Sequence, residues 1–263
     1  MIMLLSNTGF IAEQPRPTDW IAGEQSGIAF KELNHMGDWT VFLPTEERQH
    51  SVYFDSMSCV TFSALNCIEA QIRAHIAYQR LPAKTIDALK SLGYFNDRLE
   101  FNLSDRFTSK MSGTTRQGNS FVNVWDSIRK HGVLPEADWN YPREQRTPVF
   151  DWPDFYSEIP QEKKDKALKF LELFDIKYEW IPTTLENIKT HLYQAPIQIA
   201  APTCPGWNNE NPVTRCGLSP NHATMLYRVS DHIHDFDTYN PFRKELVIDY
   251  PVYYALKGVV THR

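Results

Sequence analysis

The stretch FDSMSCVTFSALNCIEAQI, residues 54–72, carries the strongest helix signal of the chain and places a cysteine at its start. Apolar residues recur at helical spacing after Ser58, a residue type that favours the N-cap of a helix. These apolar residues are Leu65, Ile68, Ile72 and Ile76, and Pro82 ends the pattern. The spacing predicts a long, mostly buried helix over about residues 59–80, with Cys59 in its first turn.

Cys59 has two interpretations. The first turn of a helix stabilises a thiolate, because free backbone N–H groups and the positive end of the helix dipole lie there. A nucleophilic thiol is therefore one interpretation. The other is a buried, inert cysteine, which is the common state of this residue type. Cys67 lies further along the same helix and is expected to be a core residue.

Composition bounds the class of protein. With 263 residues, 42% of them hydrophobic, the chain can form one large domain or two lobes that share a cleft. The formal net charge is −5, and no stretch concentrates Lys and Arg as a nucleic-acid-binding surface does, so no nucleic-acid partner is expected. No apolar run is long enough to span a membrane, and no secretory signal is evident. Four cysteines fit a reducing compartment or a single disulfide.

The element signals change along the chain. Residues 1–48 are interrupted by Pro and Trp and predict an N-terminal arm laid over a core. Residues from about 49 to 140 predict a helical lobe, and residues from about 141 to 263 predict a mainly β lobe. Further helices are expected at about residues 85–93, 120–132 and 161–174, and after Thr183, which is spaced from Glu186 as in a capping box. The predicted class is α+β.

The residues around Cys59 resemble the active-site segment of papain-like cysteine peptidases. That family places Ser or Ala before its nucleophilic cysteine, and the segment usually continues Ala-Phe-Ser. The stretch SCVTFSA keeps five positions in register: Ser58, Cys59, Phe62, Ser63 and Ala64. Val60 replaces an aromatic residue and Met57 replaces a glycine. The resemblance implies a papain-like fold, with an α-rich lobe whose central helix starts at Cys59 and a β-rich lobe that carries a histidine.

The resemblance implies a base and an orienting group downstream of Cys59. The stretch NHATMLYRV resembles the family's histidine strand and makes His222 the general base; a structural strand histidine is the alternative. In FDTYNPF, Asp237 stands where the family has an asparagine that orients the imidazole. A carboxylate accepts the same hydrogen bond and stabilises imidazolium more strongly. Asn240 is the fallback, although its place in a Tyr-Asn-Pro turn already explains it.

The resemblance also implies an oxyanion hole and a glycine-lined cleft wall. Family members use a Gln six residues before the cysteine, but Tyr53 stands there. Gln49, ten residues before Cys59, is the candidate donor, and an exposed loop glutamine is the alternative. Gly113 or Gly118 is expected in the cleft wall, where a missing side chain lets substrate backbone approach.

Two other clusters have residue types that suit metal binding or a disulfide. The stretch DHIHDFD holds His232, His234, Asp235 and Asp237, residue types that suit zinc or iron. Such residues in a polar turn are more often solvated, and no metal is predicted. Cys204 and Cys216 flank a loop rich in Pro, Asn and Gly. Both a disulfide and two free thiols fit this spacing.

The predicted function is a cysteine peptidase that hydrolyses peptide or isopeptide bonds through Cys59, His222 and Asp237, with no cofactor. The expected partner is a peptide or protein substrate, with no membrane. Only 58 residues precede Cys59, so no pro-segment with its own fold is expected. The sparse cysteines and the DTYNPF variant resemble microbial or bacteriophage-encoded members, which suggests a cytoplasmic or virion-associated location.

Two alternatives stay open. One is another thiol acyl-transfer enzyme, such as a cell-wall peptide endopeptidase or a transglutaminase-like protein, which also orders its residues Cys, His, Asp. The other is a structural or interaction module of a larger assembly, such as a phage particle, with a weak or inactive site. Tyr53 in place of Gln and Val60 in place of an aromatic residue favour this last interpretation.

Overall fold

The computed structural model describes residues 9–24, 27–50, 54–95, 98, 100–140 and 151–263 and has an α+β fold, which confirms the predicted class. The helices in these ranges are α1 (Cys59–Ala77), α2 (Ala83–Ser91), α3 (Asp105–Met111), α4 (Phe121–His131), α5 (Trp152–Phe155), α6 (Gln161–Leu173) and α7 (Leu185–Leu192). The strands are β1 (Phe174–Trp180), β2 (Ile197–Ala201), β3 (His222–Val229), β4 (His232–Phe236), β5 (Arg243–Val247) and β6 (Tyr254–His262).

Helix α1 is the central helix and begins at Cys59, as predicted. Most of its side chains are buried, because it packs against strands β2, β3 and β6 and against helices α3 and α4. It ends at Ala77, a few residues before the predicted end. Ser58 is the N-cap residue, as predicted, but its hydroxyl makes no capping hydrogen bond and instead bonds the hydroxyl of Ser56.

The six strands form one antiparallel sheet in the order β1-β6-β2-β3-β4-β5. The last strand, β6, lies between β1 and β2, so the C-terminal segment joins two parts of the sheet. Ala201 at the end of β2 pairs with His222 at the start of β3. Strand β2 is buried at every residue, and β3 over its first six, which suits strands covered by packed helices.

Gln198 on β2 ties the sheet to the first turn of α1. Its Nε2 donates to the carbonyl oxygen of Val60 and to the hydroxyl of Ser63, both at 2.8 Å. Its Oε1 accepts the indole N–H of Trp125 in α4 at 2.7 Å. Gln198 is fully buried, and an unpaired polar group there would cost about 1–3 kcal/mol. The network therefore fixes the start of α1 relative to the sheet.

Three helix starts differ from the sequence predictions. Helix α2 begins at Ala83, directly after Pro82, and not at Thr85. The predicted capping box at Thr183 is wrong, because Thr184 is the N-cap of α7 and accepts the N–H of Asn187 at 3.3 Å. Helix α3 was not predicted; it follows Ser104, whose hydroxyl accepts the N–H of Phe107 at 3.1 Å.

The division into an arm, a helical lobe and a β lobe stays a prediction. Residues 141–150, at the proposed boundary, lie outside the described residues, and the second half carries helices α6 and α7 as well as the sheet. The N-terminal segment is joined to the rest of the chain by isolated β-bridges, such as Phe10 with Asn119 and Ile21 with Trp180, and its Leu33 and Trp39 are buried in the main core. None of the described helices is both long and apolar enough to cross a bilayer.

Candidate active site

Cys59 is the first residue of α1 and is fully buried. Burial raises the pKa of its thiol well above the ordinary value, and the backbone N–H groups of Ala223 and Val60, which hydrogen-bond the sulfur, oppose this in part. The carboxylates of Asp55 and Asp237 raise the pKa further. In this closed arrangement the thiol is therefore protonated. The contact with Ala223 also places the sulfur beside the start of β3.

His222 begins β3 and is bonded to Asp237. Its Nε2 lies 2.6 Å from Asp237 Oδ1, and both side chains are fully buried. A carboxylate only accepts hydrogen bonds, so Nε2 carries a proton. The other ring nitrogen, Nδ1, is buried and has no hydrogen-bond partner among the described residues. The neighbouring Ala223 N–H contacts the Cys59 sulfur, so the start of β3 brings His222 and the first residue of α1 into the same part of the fold.

Asp237 is surrounded by hydrogen-bond donors. Besides His222, its oxygens accept the indole N–H of Trp207 at 2.8 Å and the backbone N–H of Thr238 at 2.6 Å. The ammonium of Lys244 lies 3.4 Å away and is itself fully buried. Burial alone would raise the pKa of Asp237, but the charges and hydrogen bonds of His222 and Lys244 outweigh it and hold that pKa below its usual value. These surroundings fit a carboxylate, whereas an amide would turn its NH₂ group toward another donor.

Tyr239 covers the imidazole. Its ring packs edge-on against His222, with ring centroids 5.3 Å apart, and stacks on His50 at 4.6 Å. Its hydroxyl donates a short hydrogen bond to Asp55, four residues before the cysteine. Asp55 also accepts the backbone N–H of Met57 at 2.8 Å. The two segments that approach the site, before Cys59 and after Asp237, are thus joined across it.

Tyr239, Asp55 and Gln49 form a layer over the imidazole, which we call the roof. Gln49 is buried in this layer and does not lie on an exposed loop. Its Nε2 lies 2.9 Å from both Asp55 Oδ1 and the hydroxyl of Tyr239. Its Oε1 accepts the hydroxyl of Thr238, again at 2.9 Å. The predicted oxyanion donor therefore lies beside the site, but its amide hydrogens are directed at these partners. Tyr53, which stands where the family has its glutamine, lies outside the described residues.

The two candidate glycines of the cleft wall have different surroundings. Gly118 touches the N-terminal segment, since a Cβ there would lie 1.9 Å from the carbonyl oxygen of Gly9. A Cβ on Gly9 would in turn lie 2.3 Å from the carbonyl oxygen of Met57, two residues before the cysteine. The backbones of residues 9–11 and Asn119 share two hydrogen bonds, of 2.8 and 2.9 Å. Gly113 lies beside an open cavity of about 370 Å³.

Cys204 and Cys216 form a disulfide that closes the loop before β3. This loop presents Trp207, whose indole bonds Asp237 and whose ring packs edge-on against His222 at 5.9 Å. Sequence reasoning missed Trp207, because the loop has no periodicity that would orient its side chains. Its place between the paired cysteines was the available signal.

The other sequence candidates do not join this site. The side chain of Asn240 is exposed, so the acceptor of the His222 hydrogen bond is Asp237. His234 bonds the hydroxyl of Ser230 at 2.8 Å. Among the residues that the structure describes, no cluster of His, Cys, Asp and Glu has the arrangement of a metal site.

Helix α1 starts at Cys59 and packs on an antiparallel sheet that carries the His222–Asp237 pair, which is the layout that the resemblance of the sequence implies. No protein-family model and no curated protein sequence matches the chain. Solved structures do match. Xylellain, a cysteine protease from Xylella fastidiosa, is 15% identical, with a TM-score of 0.59 over 96% of this chain and 95% of that one.

Two further solved structures extend the comparison. The procathepsin L2 proteinase of the Tenebrio molitor larval midgut is 10% identical, with a TM-score of 0.58 over 97% of this chain and 78% of that one. The Carica candamarcensis cysteine protease CMS1MS2, in complex with E-64, is 14% identical, with a TM-score of 0.52 over 84% and 96%. The chain therefore has the papain-like fold, and the resemblance predicted from the sequence is confirmed at that level. A microbial or bacteriophage origin stays a prediction.

Proposed function

We propose that the chain is a cysteine peptidase that cleaves peptide or isopeptide bonds in a peptide or protein substrate. One observation carries the proposal: the buried Nδ1 of His222 has no partner among the described residues, while Nε2 of the same ring bonds Asp237 and the adjacent Ala223 N–H contacts the Cys59 sulfur. A core histidine usually satisfies both nitrogens. A free imidazole nitrogen, on a residue whose neighbour contacts the thiol, fits the role of general base.

The proposed mechanism is acyl transfer. Nδ1 of His222 takes the thiol proton as the sulfur of Cys59 attacks the substrate carbonyl carbon, and Asp237 stabilises the resulting imidazolium. The imidazolium then protonates the leaving amine, and a thioester remains on Cys59. Water, deprotonated by the same nitrogen, hydrolyses the thioester and releases the acid.

The oxyanion formed in both halves of the reaction needs donors, each contributing about 3–4 kcal/mol. The backbone N–H of Cys59, at the start of α1, is one candidate. The amide of Gln49 is the second, and it serves when substrate binding moves it away from Asp55 or Tyr239. In the proposal, Gln49 therefore becomes the second donor only after the roof has opened.

The test compares two cysteines of one helix. An E-64-type epoxide or iodoacetamide is applied at about pH 6, where ordinary thiols are almost wholly protonated, to the chain and to the variants Cys59→Ala and Cys67→Ala. Cys67 is equally buried on α1. We expect Cys67→Ala to label as the parent chain does and Cys59→Ala to lose labelling and peptide hydrolysis together. Equal labelling of the two variants would exclude the peptidase.

A second candidate is a binding module with an inactive site. Its supporting observation is the closure of the site, with Cys59 and His222 fully buried and the Gln49 amide engaged. A chain that neither labels at Cys59 nor hydrolyses a mixed peptide library, yet unfolds cooperatively, would favour this candidate.

A further inference from the structure

A large cavity lies at the opposite end of α1 from Cys59. Its volume is about 680 Å³, and its walls come from residues 28–33, the last turns of α1 and the end of β6. His75 lines it, sixteen residues after Cys59. At 1.5 Å per residue this places the cavity about 24 Å from the thiol along the helix axis. It is therefore separate from the candidate active site.

The lining of this cavity is positive. Five of its side chains are cationic or can become so, and none of the described residues that line it carries a carboxylate; the five are Lys31, His75, Arg80, Lys177 and His262. The chain as a whole has a formal net charge of −5, so this concentration of positive charge departs from the average of the molecule. Nearby, the buried Lys257 is paired with Glu179 at 2.7 Å. Within the described ranges, no salt bridge neutralises Lys31, Arg80 or Lys177.

His75 lines the cavity and is partly buried behind it. Its Nε2 lies 3.1 Å from the carbonyl oxygen of Val260, while its Nδ1 is buried with no partner in the described part of the chain. Burial lowers the pKa of His75; the bond to Val260 opposes this, and the charges of Arg80 and Lys31 lower the pKa further. An anion in the cavity would offset those charges.

The remaining lining is largely apolar. Ile28, Leu33, Val259 and Val260 contribute hydrocarbon surface between the cationic groups. Concave apolar sites with a few convergent polar groups are typical of small-molecule binding. We propose that this cavity binds a small organic anion, whose phosphate or carboxylate head contacts Arg80, Lys31 and His75 and whose apolar body lies against Leu33 and Val260.

Isothermal titration of the full-length Cys59→Ala chain tests the proposal, since this variant cannot digest itself. The probes are phenyl phosphate and benzoate. Two control ligands accompany them: phenol, which has the apolar body without the anionic head, and inorganic phosphate, which has the head without the body. We expect phenyl phosphate or benzoate to bind at least tenfold more tightly than phenol and inorganic phosphate, because each fragment keeps only one set of contacts. The tighter of the two anions identifies the head group.

The test variant combines Lys31→Gln and Arg80→Gln. The matched control is Lys189→Gln, on the exposed surface of α7. The double variant is expected to weaken phenyl phosphate or benzoate binding about tenfold or more, as loss of charge-assisted contacts does, and the control to leave it unchanged. Lys31→Gln alone changes one exposed side chain, so it supplies the result if the double variant does not fold. Binding that is absent, equal in the variants, or as tight for inorganic phosphate would overturn the proposal.

Discussion

Replacing Asp237 with asparagine is expected to destabilise the chain strongly, although the two side chains have nearly the same shape. Oδ2 of Asp237 faces the Trp207 indole N–H and the Lys244 ammonium, and Oδ1 faces His222 and the Thr238 N–H. An amide has only one oxygen. Whichever way it turns, its NH₂ group meets donors and leaves part of the network unpaired.

The magnitude follows from the loss of a buried counter-charge. Lys244 is fully buried, and at 3.4 Å from Asp237 the gross attraction is about 5 kcal/mol at an effective dielectric constant of about 20. Other contacts of the ammonium, such as the carbonyl oxygen of Pro241 at 2.8 Å, recover part of this. Breaking a buried pair costs about 3–5 kcal/mol. We expect Asp237→Asn to lower the free energy of unfolding by about 3 kcal/mol.

Asp235 supplies a matched control two residues earlier. It is equally buried, opposite Lys244 in the β4–β5 register. Burial, followed by the charge of Asp237, raises its pKa well above the usual value, which favours the neutral acid. Asp235→Asn therefore removes less charge stabilisation than Asp237→Asn does, and we expect it to cost less than about 1 kcal/mol.

Urea unfolding at neutral pH, followed by tryptophan fluorescence, measures both variants together with Lys244→Met and the double variant Asp237→Asn/Lys244→Met. We expect the double variant to lose about 2 kcal/mol less than the sum of the single variants, since the two side chains are in contact. Equal costs for Asp235→Asn and Asp237→Asn, or strictly additive effects of the Asp237 and Lys244 changes, would refute the conclusion that only hydrogen-bond donors face the Asp237 oxygens.

Three further predictions concern the surroundings of the site. Gly9→Ala should speed alkylation of Cys59, because its Cβ would lie 2.3 Å from the Met57 carbonyl oxygen and displace the segment that precedes Cys59. Gly23→Ala is the control: Gly23 also has a positive φ but has open space around it, so the alkylation rate should be unchanged. Trp207→Phe removes the indole donor and should lower the free energy of unfolding, again from urea titration, by about 2 kcal/mol. The folded-state pKa of Asp237 is depressed. Its ionised form therefore stabilises the fold above the unfolded pKa of about 4, and this stabilisation is lost as pH falls through the folded value. Thermal melts below about pH 4 should show the loss, and melting temperature should fall less steeply with pH in Trp207→Phe.

Local patterns in the sequence predicted the central helix, and the resemblance to a known family predicted the order of the site residues. The helical spacing after Cys59 made α1 evident, and the β-branched run after His222 predicted β3. Asp237 followed from the resemblance of FDTYNPF to a family segment. These predictions depended on residue types and spacing within short windows, and such information survives in a divergent chain.

The groups around Asp237 were not predicted, because their roles depend on contacts between distant segments. Lys244 looks like an exposed lysine in RKELV, although its alternation with the buried Leu246 was a signal that it faces inward. Gln49 was predicted from a family pattern, and the sequence contained no information on its bonds to Tyr239 and Asp55. Hydrogen bonds between residues 184 to 190 positions apart, such as those that Tyr239 makes with Asp55 and Gln49, cannot be predicted from local periodicity.

Access to Cys59 and its reactivity depend on the same contacts. Burial is the main cause of its high pKa, and the Asp55 carboxylate raises that pKa further. Asp55 is held in the roof by its bonds to Tyr239 and Gln49. In the proposed mechanism, a substrate that enters the site separates these side chains, which hydrates the sulfur, moves a negative charge away from it and releases the Gln49 amide. Each of these changes favours the thiolate or the oxyanion, so we expect the thiol to become nucleophilic only when the roof opens.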